Sequence, residues 1–344
     1  MIATTTNSSG VEVARLLHVA NGTATTALIE RAGIGGARSI WADPLHDGPV
    51  PGGLSDAQLV AVRASHLAVG HHEADVANEL LRWRQAIDDT DSYDELVLWF
   101  EHDLFDQLNL VQLLSYLLAT RSLPWTTSGP RVSLICINSF PGRARFRGLG
   151  ELAPDDIRSL LNTRSPVTRA QYDLATAAWS AFRASIPTHL EELLRQNTAA
   201  LPYLAAALHR HLEEFPWTSD GLTRSERRVL TLAREMPIEI RSAFSRMQED
   251  ETAFFIGDTS FYAIVRDLAS GATPLLHITN KGDGNDAALP HATIGLTDAG
   301  RSVLSGDNDR IELCGFDRWL GGVHVSQATG IWRWDPRRSR LTAS

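Results

Sequence analysis

The chain has 344 residues, 43% of them hydrophobic and 21% charged, the make-up of an ordinary folded protein with room for two or three domains at roughly 100 to 200 residues each. Its net charge of −9 disfavours general attraction to nucleic acid or to an anionic membrane, so any such binding needs a local basic patch. Cys136 and Cys314 lack zinc or disulfide spacing and stand in or beside apolar stretches, which predicts buried thiols in a reducing compartment. With a polar leader over 1–10 and no run near the ~20 apolar residues of a membrane span, the expectation is a cytoplasmic protein.

Leu16-Leu-His-Val-Ala20 predicts a short buried strand, followed by Asn21-Gly-Thr23 and a helix over 25–32. A glycine beside small hydroxyl residues exposes backbone N–H groups at the positive end of a helix, so Asn21, Gly22 and Thr23 are candidates for holding an anion. The same residues are common caps, and a plain capped turn is the alternative. A second strand over 37–41 runs into Asp43-Pro-Leu-His-Asp-Gly-Pro-Val-Pro-Gly-Gly53. Its prolines and glycines predict a loop, which gathers Asp43, His46 and Asp47 as acid/base groups or metal ligands, or else as a solvated turn. Helices follow over 55–70 and 73–87; His66, His71 and His72 near their junction have no matching carboxylate or cysteine spacing and read as exposed.

Glu95-Leu-Val-Leu-Trp-Phe-Glu-His-Asp-Leu-Phe-Asp-Gln-Leu108 then hands titratable side chains from a strand to a helix start. The apolar run over 96–100 stops at Glu101, His102 and Asp103 before helical spacing resumes at Leu104, Leu108, Val111 and Leu114. Asp103 and Asp106 have a sufficient explanation as cap and first-turn acid; Glu101 and His102 do not. Carboxyl ends of strands are where open α/β sheets hold ligands, so this triplet is the strongest pointer to a site.

A fourth strand over 132–137 ends in Asn138-Ser-Phe-Pro-Gly-Arg-Ala-Arg-Phe-Arg-Gly-Leu-Gly150. Ser139, Arg143 and Arg145, with Arg147, form a basic loop in an acidic protein and suit a carboxylate or phosphate, or surface ion pairs. Four predicted strands thus each carry polar groups at their carboxyl ends. If alternation with helices makes them parallel, all four sets lie along one sheet edge. A nucleotide fingerprint or P-loop is absent after the first strand.

The segments Leu17-His-Val-Ala-Asn-Gly22, Trp41-Ala-Asp-Pro-Leu-His-Asp-Gly-Pro-Val-Pro51 and Leu98-Trp-Phe-Glu-His-Asp-Leu-Phe-Asp-Gln-Leu108 resemble, in the same order, motifs of the bacterial domain of unknown function family 1835. The resemblance covers roughly the first 150 residues. It implies family membership and no particular activity.

From 154 to 215 the chain reads as helices, with Pro166, Pro187 and Pro202 near their starts or between them; His209 and His211 are expected to face solvent. Helices over 223–234, 240–249 and 260–269 precede two strands, 274–279 and 292–296, which could pair across Lys281-Gly-Asp-Gly-Asn-Asp286. Leu296-Thr-Asp-Ala-Gly-Arg-Ser-Val-Leu304 resembles the junction after the wing of winged-helix proteins. The helix that would read DNA carries only Arg266 and Asp267, with Asp258 at its cap, which favours protein contact or core packing. The tail reads as closing strands in which Asp317, Arg318 and His324 stand among tryptophans, as a second site or, the favoured reading, as an internal ion pair that holds the strands.

The expected fold is α/β: a Rossmann-like parallel-sheet domain over 11–150, a helical connector over 151–217 and a winged-helix-like α+β domain over 218–340. The expected function is that of a hydrolase or transferase acting on a phosphorylated or nucleotide-like small molecule. His102 would be general acid or base, and Glu101, Asp103, Asp43, His46 and Asp47 would orient it or ligate a divalent ion of open identity. The alternative is a ligand-sensing regulator whose C-terminal domain binds DNA or a partner protein.

Overall fold

The computed structural model describes residues 14–89, 92–120, 130–279 and 286–343. The leader over 1–10 and residues 281–285 of the loop between the two later strands lie outside them. In chain order the first elements are β1 (Leu16–Ala20), α1 (Thr23–Arg31), β2 (Ala37–Ile40), β3 (Gly48–Pro49), α2 (Asp56–Leu67), α3 (Glu73–Asp88), β4 (Glu95–Glu101), α4 (Leu104–Thr120), β5 (Arg131–Ile137), α5 (Pro154–Leu161), β6 (Ser165–Pro166) and α6 (Arg169–Phe182). The protein is mixed α/β, and among the described residues no helix is long and apolar enough to cross a membrane. Two compact units divide the chain. Unit one takes the described residues up to Leu45, Leu54–Ser180 and Asn197–Leu204; unit two takes His46–Gly53, Ala181–Gln196 and the described chain from Ala205. Residues 151–217 are shared between them.

Unit one is built on a five-stranded sheet of order β2-β1-β4-β5-β6, in which the first four strands are parallel. β4 is buried along its whole length, which is why it reads as an unbroken apolar run rather than an alternating one. On one face Leu28 and Ile29 of α1 and Ile157 and Leu160 of α5 pack with Ala20, Val97, Trp99 and Ile135. α4 is apolar on most of its circumference and largely buried. Two of its buried amides tie it to the chain after β2: Asn109 clasps the Asp43 backbone, and the Gln112 oxygen accepts the Trp41 indole N–H at 2.8 Å. β1 has β2 on one side and β4 on the other, so the chain reverses its direction across the sheet between β1 and β4. In a parallel sheet that reversal opens a crevice at the carboxyl ends of the two strands.

Two short strands correct the sequence reading. Gly48–Pro49 is not simply loop but pairs as β3, and Ser165–Pro166 interrupts the expected helices as β6, antiparallel to β5. Both contain proline, and both lie at a sheet edge, where a missing N–H leaves no ladder bond unmade.

The later elements are α7 (Thr188–Leu194), α8 (Leu204–Leu212), α9 (Arg224–Leu232), β7 (Ile238–Glu239), α10 (Ile240–Asp250), α11 (Asp258–Leu268), β8 (Leu276–Thr279), β9 (Thr293–Leu296), α12 (Asp298–Ser305), α13 (Arg310–Cys314), β10 (Asp317–Gly321), β11 (Val323–Ser326), β12 (Trp332–Asp335) and β13 (Arg340–Ala343). Within unit two β8 and β9 pair antiparallel, as their sequences suggest, and β7 adds to the other side of β9. β10 pairs antiparallel with β11 and parallel with β3, while β12 and β13 form a separate hairpin. Buried charges here come with partners: Arg210 bridges Glu214 and Glu251, and Arg310 and Arg318 share Glu226 and Asp267. His324 meets Asp317 at 2.6 Å in an exposed hydrogen bond across β10 and β11 and stacks on Trp319 at 4.8 Å, whereas Arg318 turns away to Glu226 and Asp267.

His211 and Cys314 depart from expectation. His211 is buried between Phe182 and Phe215, and burial pushes its pKa down to about 4, so it is neutral and not solvent-facing. Cys314 is exposed at the end of α13, whose buried residues are Arg310 and Ile311 in its first turn.

Candidate functional site

Glu101 ends β4, Asp103 precedes α4 and Asp106 lies in its first turn. This strand-to-helix turn brings one oxygen of each carboxylate within 4.8 Å of the others. The turn is held by its own polar groups. Asp103 accepts the Asp106 N–H at 3.0 Å, Asp106 accepts the Glu101 N–H at 2.7 Å, and the Gln107 amide donates to the Glu101 carbonyl at 2.6 Å. Asp103 therefore does cap α4, and the capping geometry itself carries Asp106 back beside Glu101.

Asn21, at the end of β1, spans the crevice. Its amide nitrogen donates to Glu101 at 2.9 Å and to Asp106 at 3.0 Å, while the Thr25 hydroxyl donates to its oxygen at 2.8 Å and so orients the amide. The backbone of the Arg loop closes the other side, where the Leu149 N–H donates to Glu101 at 2.6 Å. Gly148 makes that approach possible: with φ at +150°, a Cβ there would stand 2.7 Å from the Glu101 carboxylate. Gly148→Ala is therefore expected to displace Glu101 and lower stability by roughly 1–3 kcal/mol, measured by urea unfolding. An unchanged midpoint would mean that the carboxylate can move aside freely.

The three carboxylates are 5%, 7% and 1% exposed for Glu101, Asp103 and Asp106. Burial disfavours their charged forms, raising Glu101 to about 7 and Asp103 to about 6 and lifting Asp106 well above the usual range. Mutual repulsion adds to burial at Glu101 and Asp106, whereas the bonds from Asn21 and the backbone oppose it. Near neutral pH such a group either retains protons or exchanges them for a cation. Its all-oxygen donor set fits a hard divalent ion such as magnesium, manganese or calcium.

α1 begins beside this cluster. Gly22 is its N-cap and supplies no side-chain cap, the first turn holds no acid, and a Cβ on Gly22 would meet nothing within 4 Å. Its first-turn N–H groups and positive dipole end suit an anion. α1 starts at Thr23, two residues earlier than the sequence suggests, and Thr23 itself is exposed.

The predicted residues divide sharply. Asn21, Gly22, Glu101 and Asp103 converge. His102 packs with aromatic rings, 6.1 Å between centroids from Phe146 and from Tyr203. Ser139 is exposed and donates to Asn138, which also accepts the Tyr203 hydroxyl at 3.3 Å. Arg143 is exposed and reaches Asp156 at 3.8 Å, and Arg145 is exposed. Asp43 is buried in a bidentate pair with Arg63 of α2, at 2.7 to 3.1 Å. His46 and Asp47 belong to unit two and line a cavity there. His71 and His72 are exposed, as expected.

Asp106, Gln107, Thr25 and Gly148 complete the site without having been singled out for it. Asp106 had a sufficient explanation as a first-turn acid, so its spacing of five from Glu101 carried no separate signal. In comparisons with known proteins, no family model and no curated protein matches this chain.

Proposed function

We propose that the chain is a cation-dependent hydrolase or transferase acting on a phosphorylated or nucleotide-like small molecule at the carboxyl ends of β1 and β4. In this reading unit one is a Rossmann-like domain similar to the bacterial domain of unknown function family 1835. The run α9-β7-α10-α11-β8-β9 of unit two is winged-helix-like. The carrying observation is the three-carboxylate turn, clamped by Asn21 across the point where the strand order reverses.

Glu101, Asp103 and Asp106 would hold a divalent ion, with Asn21 as the positioning residue that keeps two of them in place. When bound, such an ion neutralises and polarises phosphate oxygens. The start of α1 at Gly22 and Thr23 offers N–H groups to the same anion, and His102, between Glu101 and Asp103 in the chain, is the acid/base candidate. A DNA-reading role for α11 has less support, since Ser260, Ala263, Ile264 and Asp267 face a cavity in unit two and Asp267 is paired with Arg310 and Arg318.

The test is a thermal-shift titration of the chelator-treated full chain with magnesium and manganese, alone and with pyrophosphate, nucleotides and sugar phosphates. A ligand at about a hundred times its Kd adds about 2.7 kcal/mol if it binds only the folded state. The expected result is stabilisation by the cation, enhanced by a phosphate compound, and cation-dependent phosphate release or transfer from that compound. Absence of any cation effect on stability would sink the proposal.

A further inference from the structure

We infer that unit two contains a second binding site, which takes a small neutral aromatic compound. A cavity of about 250 Å³ lies there, lined on one side by Ser260, Ala263, Ile264 and Asp267 of α11 and on the other by Trp319 and Leu320 of β10. α11 carries two faces. Phe261, Val265 and Leu268 are buried, whereas Ser260, Ala263, Ile264 and Asp267 recur at helical spacing on a second face that stays partly or wholly exposed. The aromatic wall of the cavity is already in place. Phe255 is held by the His46 ring, edge-on at 5.0 Å, and by the Arg210 guanidinium over its own ring at 5.0 Å, while the Trp319 ring is stacked on His324 at 4.8 Å. A ligand therefore meets a preformed surface and loses little affinity to ordering it.

The charges of the lining decide what the occupant cannot be. Glu214 is engaged by Arg210 and by the Ser225 hydroxyl, Asp267 by Arg310 and Arg318, and Arg318 by Glu226 and Asp267. Asp47 accepts the Ser260 hydroxyl at 3.4 Å. Every acid and arginine of the lining thus already has a partner within unit two, and an ammonium or carboxylate group entering the cavity would leave water without an uncommitted opposite charge to meet. A neutral molecule gives up no such hydration. The rest of the lining, Phe255, Ile256, Ala263, Ile264, Trp319 and Leu320, is apolar and in part aromatic, which favours a flat ring through burial and ring contacts. The Ser260 hydroxyl, which donates to Asp47, keeps lone pairs and can accept from a hydroxyl on the ligand. The volume falls just below the roughly 300–1,000 Å³ of sites for drug-sized ligands, which limits the occupant to one ring with a short neutral arm.

Isothermal titration of the full chain with 2-phenylethanol, 2-phenylethylamine and phenylacetate tests this, because the three share a ring and differ in the charge of the arm. The alcohol should bind saturably with one site per chain, and the amine and the carboxylate should each bind at least about tenfold more weakly, since each brings a charge that the lining leaves unpaired. Ala263→Phe, which fills the cavity, should abolish binding of the alcohol in a chain whose cooperative unfolding confirms that it is folded. Should that variant not fold, the smaller filler Ala263→Leu should weaken the alcohol in the same direction. The inference is overturned if the alcohol gives no saturable binding, if either charged compound binds as tightly, or if a folded cavity-filling variant binds the alcohol like the wild type.

Discussion

Replacing Glu101 by glutamine is expected to stabilise the chelator-treated protein at pH 8, by on the order of 2–3 kcal/mol, and to leave its stability near pH 4 almost unchanged. Folding raises this carboxyl from 4.5 to about 7, chiefly by burial and secondarily by the neighbouring Asp103 charge. A raised acid pKa means that the folded state binds the proton more tightly than the unfolded state. Its stabilising protonated form is therefore present at low pH and lost as pH rises from about 4.5 through 7. The glutamine of the variant has no proton to lose and keeps an acceptor for Leu149 and Asn21, so the difference in unfolding free energy between variant and wild type should grow across that window and then level off. Taking the difference matters, because neutral His211 works in the opposite direction, its stability contribution being lost as pH falls below its unfolded value toward 4. The same substitution should remove the stabilisation by magnesium or manganese. A variant less stable than wild type at pH 8, or an undiminished cation effect, would contradict the proposed role of the cluster.

The second large effect belongs to a pair outside that cluster. Asp43 and Arg63 are 3% and 1% exposed, and Arg63 donates to both Asp43 oxygens and also to the Pro44 carbonyl. Arg63→Met should cost about 3–5 kcal/mol in urea unfolding, because it leaves a buried carboxylate without its counter-charge. Adding Asp43→Asn to that variant should recover a substantial part, since the uncompensated charge is then gone and Asn109 still holds the residue 43 backbone through both its N–H and its carbonyl. Cation stabilisation should survive in the double variant. If it were abolished there, Asp43 would have to be part of the cation site, and the division between the Glu101 cluster and the Arg63 pair would be wrong.

The sequence and the structure agree most closely where the signal is local. The apolar run after Glu95 marks β4 because a strand covered on both faces is buried at every position, and Leu16 to Ala20 marks β1 for a similar reason. Asn21, Gly22, Glu101 and Asp103 stand out because polar residues directly after such runs interrupt a pattern of burial. Agreement fails at residues with two adequate local explanations. Asp106 satisfies the helix dipole and also completes the carboxylate cluster; only the tight turn shows the second role. Asp43, His46 and Asp47 are near neighbours in sequence, yet the chain leaves unit one after Leu45, so they serve three different surroundings: an arginine pair for Asp43, an aromatic contact for His46 and a serine for Asp47.

By itself the sequence determined the alternation of strands and helices, the apolar core positions and the strand ends at which titratable groups emerge, because periodicity and capping depend on residues within one or two turns. Tertiary structure alone decided which of those groups meet. Asn21 reaches Glu101 across 80 residues and Leu149 reaches it across 48, and neither spacing leaves a trace in local pattern. The raised acidities follow from that meeting, since burial and mutual repulsion are properties of the assembled turn and not of any carboxylate on its own.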